Sequence, residues 1–236
     1  PKAKYEDFYN DAINEELFAP ANHPYMRSAY RDWLRDQSIE RNASKRERGA
    51  EEPKDTVMPE SIISYPFVLT AATKARVLQV DAQHQMHRGV NQEFFNAILN
   101  PGHRLNPYLV LRVRRENIVQ DTLTQLVHCP EADLKKPLKV VFEGEDGIDE
   151  GGVQKEFMQV VTRELLDPAY AMFKIDEDTR NIYFNPHTFE IGLEFELIGL
   201  LIGVAIYNSI ILDIPFPMVV YKRLKGIVPT LHDLME

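Results

Sequence analysis

The chain has 236 residues, 44% of them hydrophobic and 10% aromatic, with a single cysteine and a formal charge of −9 at pH 7. That apolar content suffices for a substantial core in one or two domains, which excludes a disordered or fibrous polymer. The acidic balance argues against a nucleic-acid partner, and one cysteine excludes an internal disulfide framework, so the expected compartment is a reducing one, cytoplasm or nucleus.

The first residues, "PKAKYEDFYND", are charged and aromatic, with no initiator Met and no signal-peptide pattern, so the chain reads as a piece of something longer. "YEDFYNDAINEELF" and "HPYMRSAYRDWLRDQSIE" predict helices. In the second, Tyr25, Met26, Ala29, Tyr30, Trp33 and Leu34 recur at spacings of three and four, an apolar stripe on a charged helix. The basic run at 41–48 sets Lys45, Arg46 and Arg48 against Glu47, Glu51 and Glu52, the pattern of a solvated face rather than a nuclear address. The stretch with Gly49 and Pro53, up to Met58, predicts a mobile connection. Further helical sequence from Ser64 leads to "NQEFFNAILN", which meets stop chemistry at Pro101 and Gly102.

After that the pattern turns mixed. Tyr108 to Val113 and "PLKVVFEG" suit strands, and between them Ile118, Val119, Thr122, Leu126 and Val127 line one helical face. Gly152 to Leu166 reads as a helix, and "AMFKID", "EDTR" and "NIYFNP" as a hairpin. The uncharged run Leu197 to Leu212 is shorter than the roughly 20 residues a bilayer needs, so it is expected to be a buried helix, with Gly199 and Gly203 in tight packing. Two prolines then precede a helix that stops at Gly226, and Thr230 is placed to cap another. The fold class is α+β, predominantly helical.

The stretch "FEGEDGIDEGGVQKEF" (142–157) crowds carboxylates and glycines into one turn. No frame supplies the alternating oxygen ligands, sixth-position Gly and twelfth-position Glu of a calcium loop. Val153 and Gln154 stand where a phosphate loop needs Lys and Ser or Thr, and the carboxylates would repel phosphate. A glycosidase-like pair among Glu143, Glu145, Asp146, Asp149 and Glu150 lacks any sign of burial. A strand-to-helix corner fits best: Asp149 or Glu150 favours the positive end of the helix, and Gly151 and Gly152 permit a sharp entry.

Taken together, "NPYLVLRVRRENIVQDTL", "LKVVFEGEDGIDEGGVQKEF", "YFNP", "FELIGLLIGVAIYNSIILDIPFPMVVYKRLKG" and "LHDLME" resemble the N-terminal lobe of a HECT-type E3 ubiquitin ligase. The likeness is strong from about Asn106 onward, weaker before it, and nearest to the branch of the E6-associated protein. It implies a helical extension and linker over residues 1–58 and the large subdomain of that lobe over 59–236, with Asp149, Gly151, Gly152 and Glu156 matching the family's Gly-Gly corner. It also implies a parent protein that accepts ubiquitin from an E2 enzyme as a cysteine thioester and passes it to substrate lysines, without a cofactor. The expected partners are therefore an E2, ubiquitin and protein substrates, with no nucleic acid and no membrane. The E2-binding subdomain and the lobe with the catalytic cysteine lie beyond Glu236, so this chain alone is expected to be inactive, with apolar surface exposed near Phe216 and Val220.

No residue of this chain is assigned a catalytic, metal-binding or cofactor-binding role. Cys129 follows His128 at a helix end, where neighbours point apart, and reads as a small buried hydrophobe. His84 and His87 are three apart but lack supporting ligands, while Arg112, Arg114 and Arg115 read as a solvated face or structural ion pairs. The rival function is a non-catalytic interaction module that recognises a substrate or regulator through the Trp33 stripe. If that stripe packs on Phe67, Phe94 and Phe95, the extension only stabilises. A third reading, a hydrolase at the acidic turn, requires clustered carboxyls with raised pKa values.

Overall fold

A computed structural model describes residues 5–18, 20, 23–46, 58–100, 105–145, 151–188 and 192–234. The chain forms two compact units, residues 1–84 and 85–236. The predicted connection around Gly49 and Pro53 and the stop at Pro101 and Gly102 lie outside the described residues.

In the first unit, α1 (Asp11–Phe18) and α2 (Pro24–Arg46) pack with the first part of α3 (Ala71–Leu99). Asn10 starts α1 by accepting the Ile13 N–H at 3.1 Å, and Thr70 starts α3 by accepting the Thr73 N–H at 3.2 Å. Met26, Ala29 and Tyr30 of the α2 stripe are buried with Leu17, Ile63, Leu69, Val77 and Val80, and Trp33 packs against them. Phe67, Phe94 and Phe95 remain substantially exposed, so the stripe has different partners from those considered in the sequence. Residues on both sides of position 58 share this core.

Two buried polar groups tie this unit together. The Asn14 side chain donates to the carbonyls of Asn10 and Val68 at 2.7 and 3.0 Å and accepts the Thr70 N–H at 2.9 Å. Asp36, 3% exposed, accepts the N–H groups of Glu60 and Ser61, each at 3.0 Å, and the Ser64 hydroxyl at 2.6 Å. Each satisfies backbone groups that burial would otherwise leave unpaired.

The second unit is built around β1 (Leu109–Val113), α4 (Ile118–Leu126), the short α5 (Glu131–Leu134) and β2 (Leu138–Phe142). β1 and β2 pair in parallel from Leu109↔Leu138 to Val113↔Phe142, so alternate residues Leu109, Leu111, Val113, Leu138, Val140 and Phe142 face the core. On the outer side of β1, the Gln125 amide accepts the Arg112 N–H at 3.0 Å and donates to the Arg112 carbonyl at 2.7 Å. On the outer side of β2, Asn208 accepts the Leu138 N–H at 2.9 Å and Gln154 donates to the Leu138 carbonyl at 2.7 Å.

α6 (Gly152–Leu165) covers the sheet with Phe157, Met158, Val161 and Leu165, and α4 adds Ile118, Val119, Thr122, Leu123 and Leu126. The predicted hairpin is present as antiparallel β3 (Phe173–Ile175) and β4 (Ile182–Phe184). Phe173, Phe184, Phe195 and Phe216 cluster over it, with ring centroids 5.4–6.0 Å apart.

The apolar run differs from expectation. α7 spans Leu193–Tyr207, ends at the Asn208 cap, and releases Ile211 to solvent at 94% exposure. Its buried face is Leu197, Ile198, Leu201, Val204 and Ala205, while Gly199 and Gly203 lie on the opposite, exposed face with no described atom within 4 Å of an added Cβ. The glycines therefore make no close approach, because the helix already buries its larger aliphatic side.

α8 (Met218–Leu224) ends before Gly226, whose φ of 70° suits glycine. The expected helix at Thr230 is only a 3-10 turn, Leu231–Leu234. There the Asp233 carboxylate reaches back to the Thr230 N–H at 2.6 Å and pairs with Lys222, and Tyr183 donates to the Leu234 carbonyl. Apolar exposure falls on Leu224, Val228 and Leu231; Phe216 is packed, within 5.6 Å of the Phe184 ring.

Candidate functional site

The acidic turn begins where β2 ends. Glu143 donates its N–H to the Val113 carbonyl at 2.9 Å, and Gly144 turns the chain with φ of 84°. Asp146, Asp149 and Glu150 lie outside the described residues. The chain is described again at Gly151, whose φ of 86° brings it into α6 and requires the freedom of glycine.

Arg115 clasps the two sides of this corner. Its guanidinium pairs bidentately with Glu145 before the turn, reaches Glu156 in α6 at 2.7 Å, and lies 4.2 Å from the Phe142 ring centroid. Hydrogen bonds from Glu145 and Glu156 hold Arg115 firmly charged, and the same bond to Arg115 lowers the Glu145 pKa. Next to it, Arg114 grips Asp121 through Nε at 3.0 Å and Nη2 at 2.7 Å, which with the Arg114 N–H brings the Asp121 pKa down to about 2. These two arginines serve structural ion pairs, one of the two roles the sequence suggested. A general acid needs a carboxyl pushed up towards neutrality, whereas the shifts of Glu145 and Asp121 run downward. The arrangement holds a corner.

Cys129 follows α4 and packs partly buried against the core. Burial, reinforced by Asp133 and opposed by Lys136, raises its pKa, and the thiol points a weak bond to the Pro130 carbonyl at 3.7 Å. A thiolate nucleophile needs the opposite shift. His84 stacks on Tyr30 with centroids 4.9 Å apart, which gives it a packing role. Among the described residues, no group of three or more His, Cys, Asp or Glu side chains converges as a metal site.

Sequence reasoning missed Asp36, Asn14 and Gln125, the polar side chains that organise the backbone around them. Asp36 sits among the charged residues of α2, where spacing does not separate a buried carboxylate from a solvated one. The exposed Ile211 was also missed, because apolar composition gives no sign of which residue ends a helix.

Residues 159–236 match the HECT-domain (ubiquitin-transferase) family. The chain is 41% identical to the probable E3 ubiquitin-protein ligase HERC4 of Mus musculus, over 99% of its own length and 21% of that protein. It is 43% identical to the human probable ligase HERC3 over 78% of the chain and 18% of the relative. With human HECTD2, also named a probable E3 ubiquitin-protein ligase, it shares 33% identity over 95% of the chain and 26% of the relative. The chain thus spans about a fifth to a quarter of the length of the curated relatives it matches. These HERC and HECTD relatives replace the E6-associated branch expected from the sequence. Many of the motifs that suggested that branch are core positions and the Gly-Gly corner, which report a shared fold and do not separate branches. Residues 159–236 are thus similar to a HECT domain, and the chain is similar, along nearly its whole length, to probable E3 ubiquitin-protein ligases of the HERC and HECTD kind.

Proposed function

We propose that the chain is part of an E3 ubiquitin-protein ligase that receives ubiquitin from an E2 enzyme as a cysteine thioester and transfers it to lysines of protein substrates. The observation that carries this reading is the 41% identity to mouse HERC4 across 99% of the chain. A thioester carrier needs a cysteine that ionises near neutral pH, accepts the acyl group by thiol exchange, and leaves when an amine attacks. The raised pKa of Cys129 disfavours that role, so the carrier cysteine belongs to sequence outside these residues, and the chain alone serves as scaffold. In this reading residues 59–236 furnish the large subdomain of the N-terminal lobe, and residues 1–58 extend its packing. The lone cysteine agrees with work in the cytoplasm or nucleus. No described helix is long and apolar enough to cross a membrane.

The test replaces the matching stretch of mouse HERC4 with this chain. The chimera, unmodified HERC4 and the chain alone are each incubated with E1, E2, ATP and ubiquitin, and adducts released by thiol are counted. The chimera should form the adduct and the chain alone should not. An adduct on Cys129, or a silent chimera beside active HERC4, would refute the reading.

A further inference from the structure

We draw no further inference here: the strongest candidate, the exposed apolar face over the last two turns of α3 formed by Phe94, Phe95, Ile98 and Leu99, is an unpartnered helix face, and nothing in the structure shows what covers it.

Discussion

Replacing Asp36 with Ala removes three hydrogen bonds at once. The Ser61 N–H loses its partner in a residue only 2% exposed, while the Glu60 N–H and Ser64 hydroxyl are closer to water and regain solvation. An orphaned buried donor costs about 1–3 kcal/mol, and losing the charge-assisted Ser64 bond adds about 1 kcal/mol net. The expected destabilisation is about 3 kcal/mol, or on the order of 10 °C in Tm for a chain of this size. Burial pushes the Asp36 carboxyl up, but the bonds from Ser64, Ser61 and Glu60, with Arg35 nearby, outweigh it and lower its pKa. A lowered folded pKa gives stability that is present above the unfolded value of about 3.9 and lost as pH falls through the folded value. The gap between wild type and Asp36→Ala should therefore be full at pH 7 and narrow below about pH 4. Calorimetry across pH gives the magnitude, and hydrogen exchange should locate the loss in residues 1–84. A change below about 0.5 kcal/mol, a gap independent of pH, or faster exchange confined to residues 85–236 would refute the reasoning.

Three further expectations concern the second unit. Arg115→Ala should speed hydrogen exchange at 143–145 and in the first turn of α6, and Arg115→Lys should restore little, because an ammonium cannot grip Glu145 bidentately while also reaching Glu156. Gln125→Ala should cost about 1–2 kcal/mol in urea unfolding, and Gln125→Glu more, since it sets a carboxylate against the Arg112 carbonyl. The Asp233 pKa is drawn to about 2 by Lys222 and by the Thr230 N–H and hydroxyl, so its contribution is complete above about pH 4 and lost towards pH 2. Asp233→Asn should flatten the acid limb of the stability curve, and an unchanged limb would count against the Lys222 pairing.

The parts of this fold that were legible in the sequence are those where one rule dominates. Short apolar, strand-type runs gave β1 and β2, the helical spacing of Ile118, Val119, Thr122 and Leu126 gave α4, and a polar turn between bulky residues gave the hairpin. Gly151 was readable because its φ of 86° excludes most other residues. Tertiary context decided the rest. Nothing local marks where the run from Leu197 stops, because Asn208 ends α7 partly by bonding to Leu138, a residue far away in sequence. The Trp33 stripe announced a buried face, but periodicity does not name the opposite wall, which proved to be Ile63, Leu69, Val77 and Val80. The acidic turn was readable as a corner; the two-sided grip of Arg115 was not, since its partners lie 30 and 41 positions away.

A pair of parallel strands normally leaves two open edges, each a template on which another chain can lay a strand. Here the Gln125, Asn208 and Gln154 side chains occupy outward-facing backbone groups of Arg112 and Leu138 with the same donors and acceptors that a neighbouring strand would bring. They imitate a third and fourth strand without being extendable, because an amide has no further backbone to offer. The sheet is thereby terminated at two strands, and loss of these amides would turn a stability defect into a tendency to polymerise through the exposed edges.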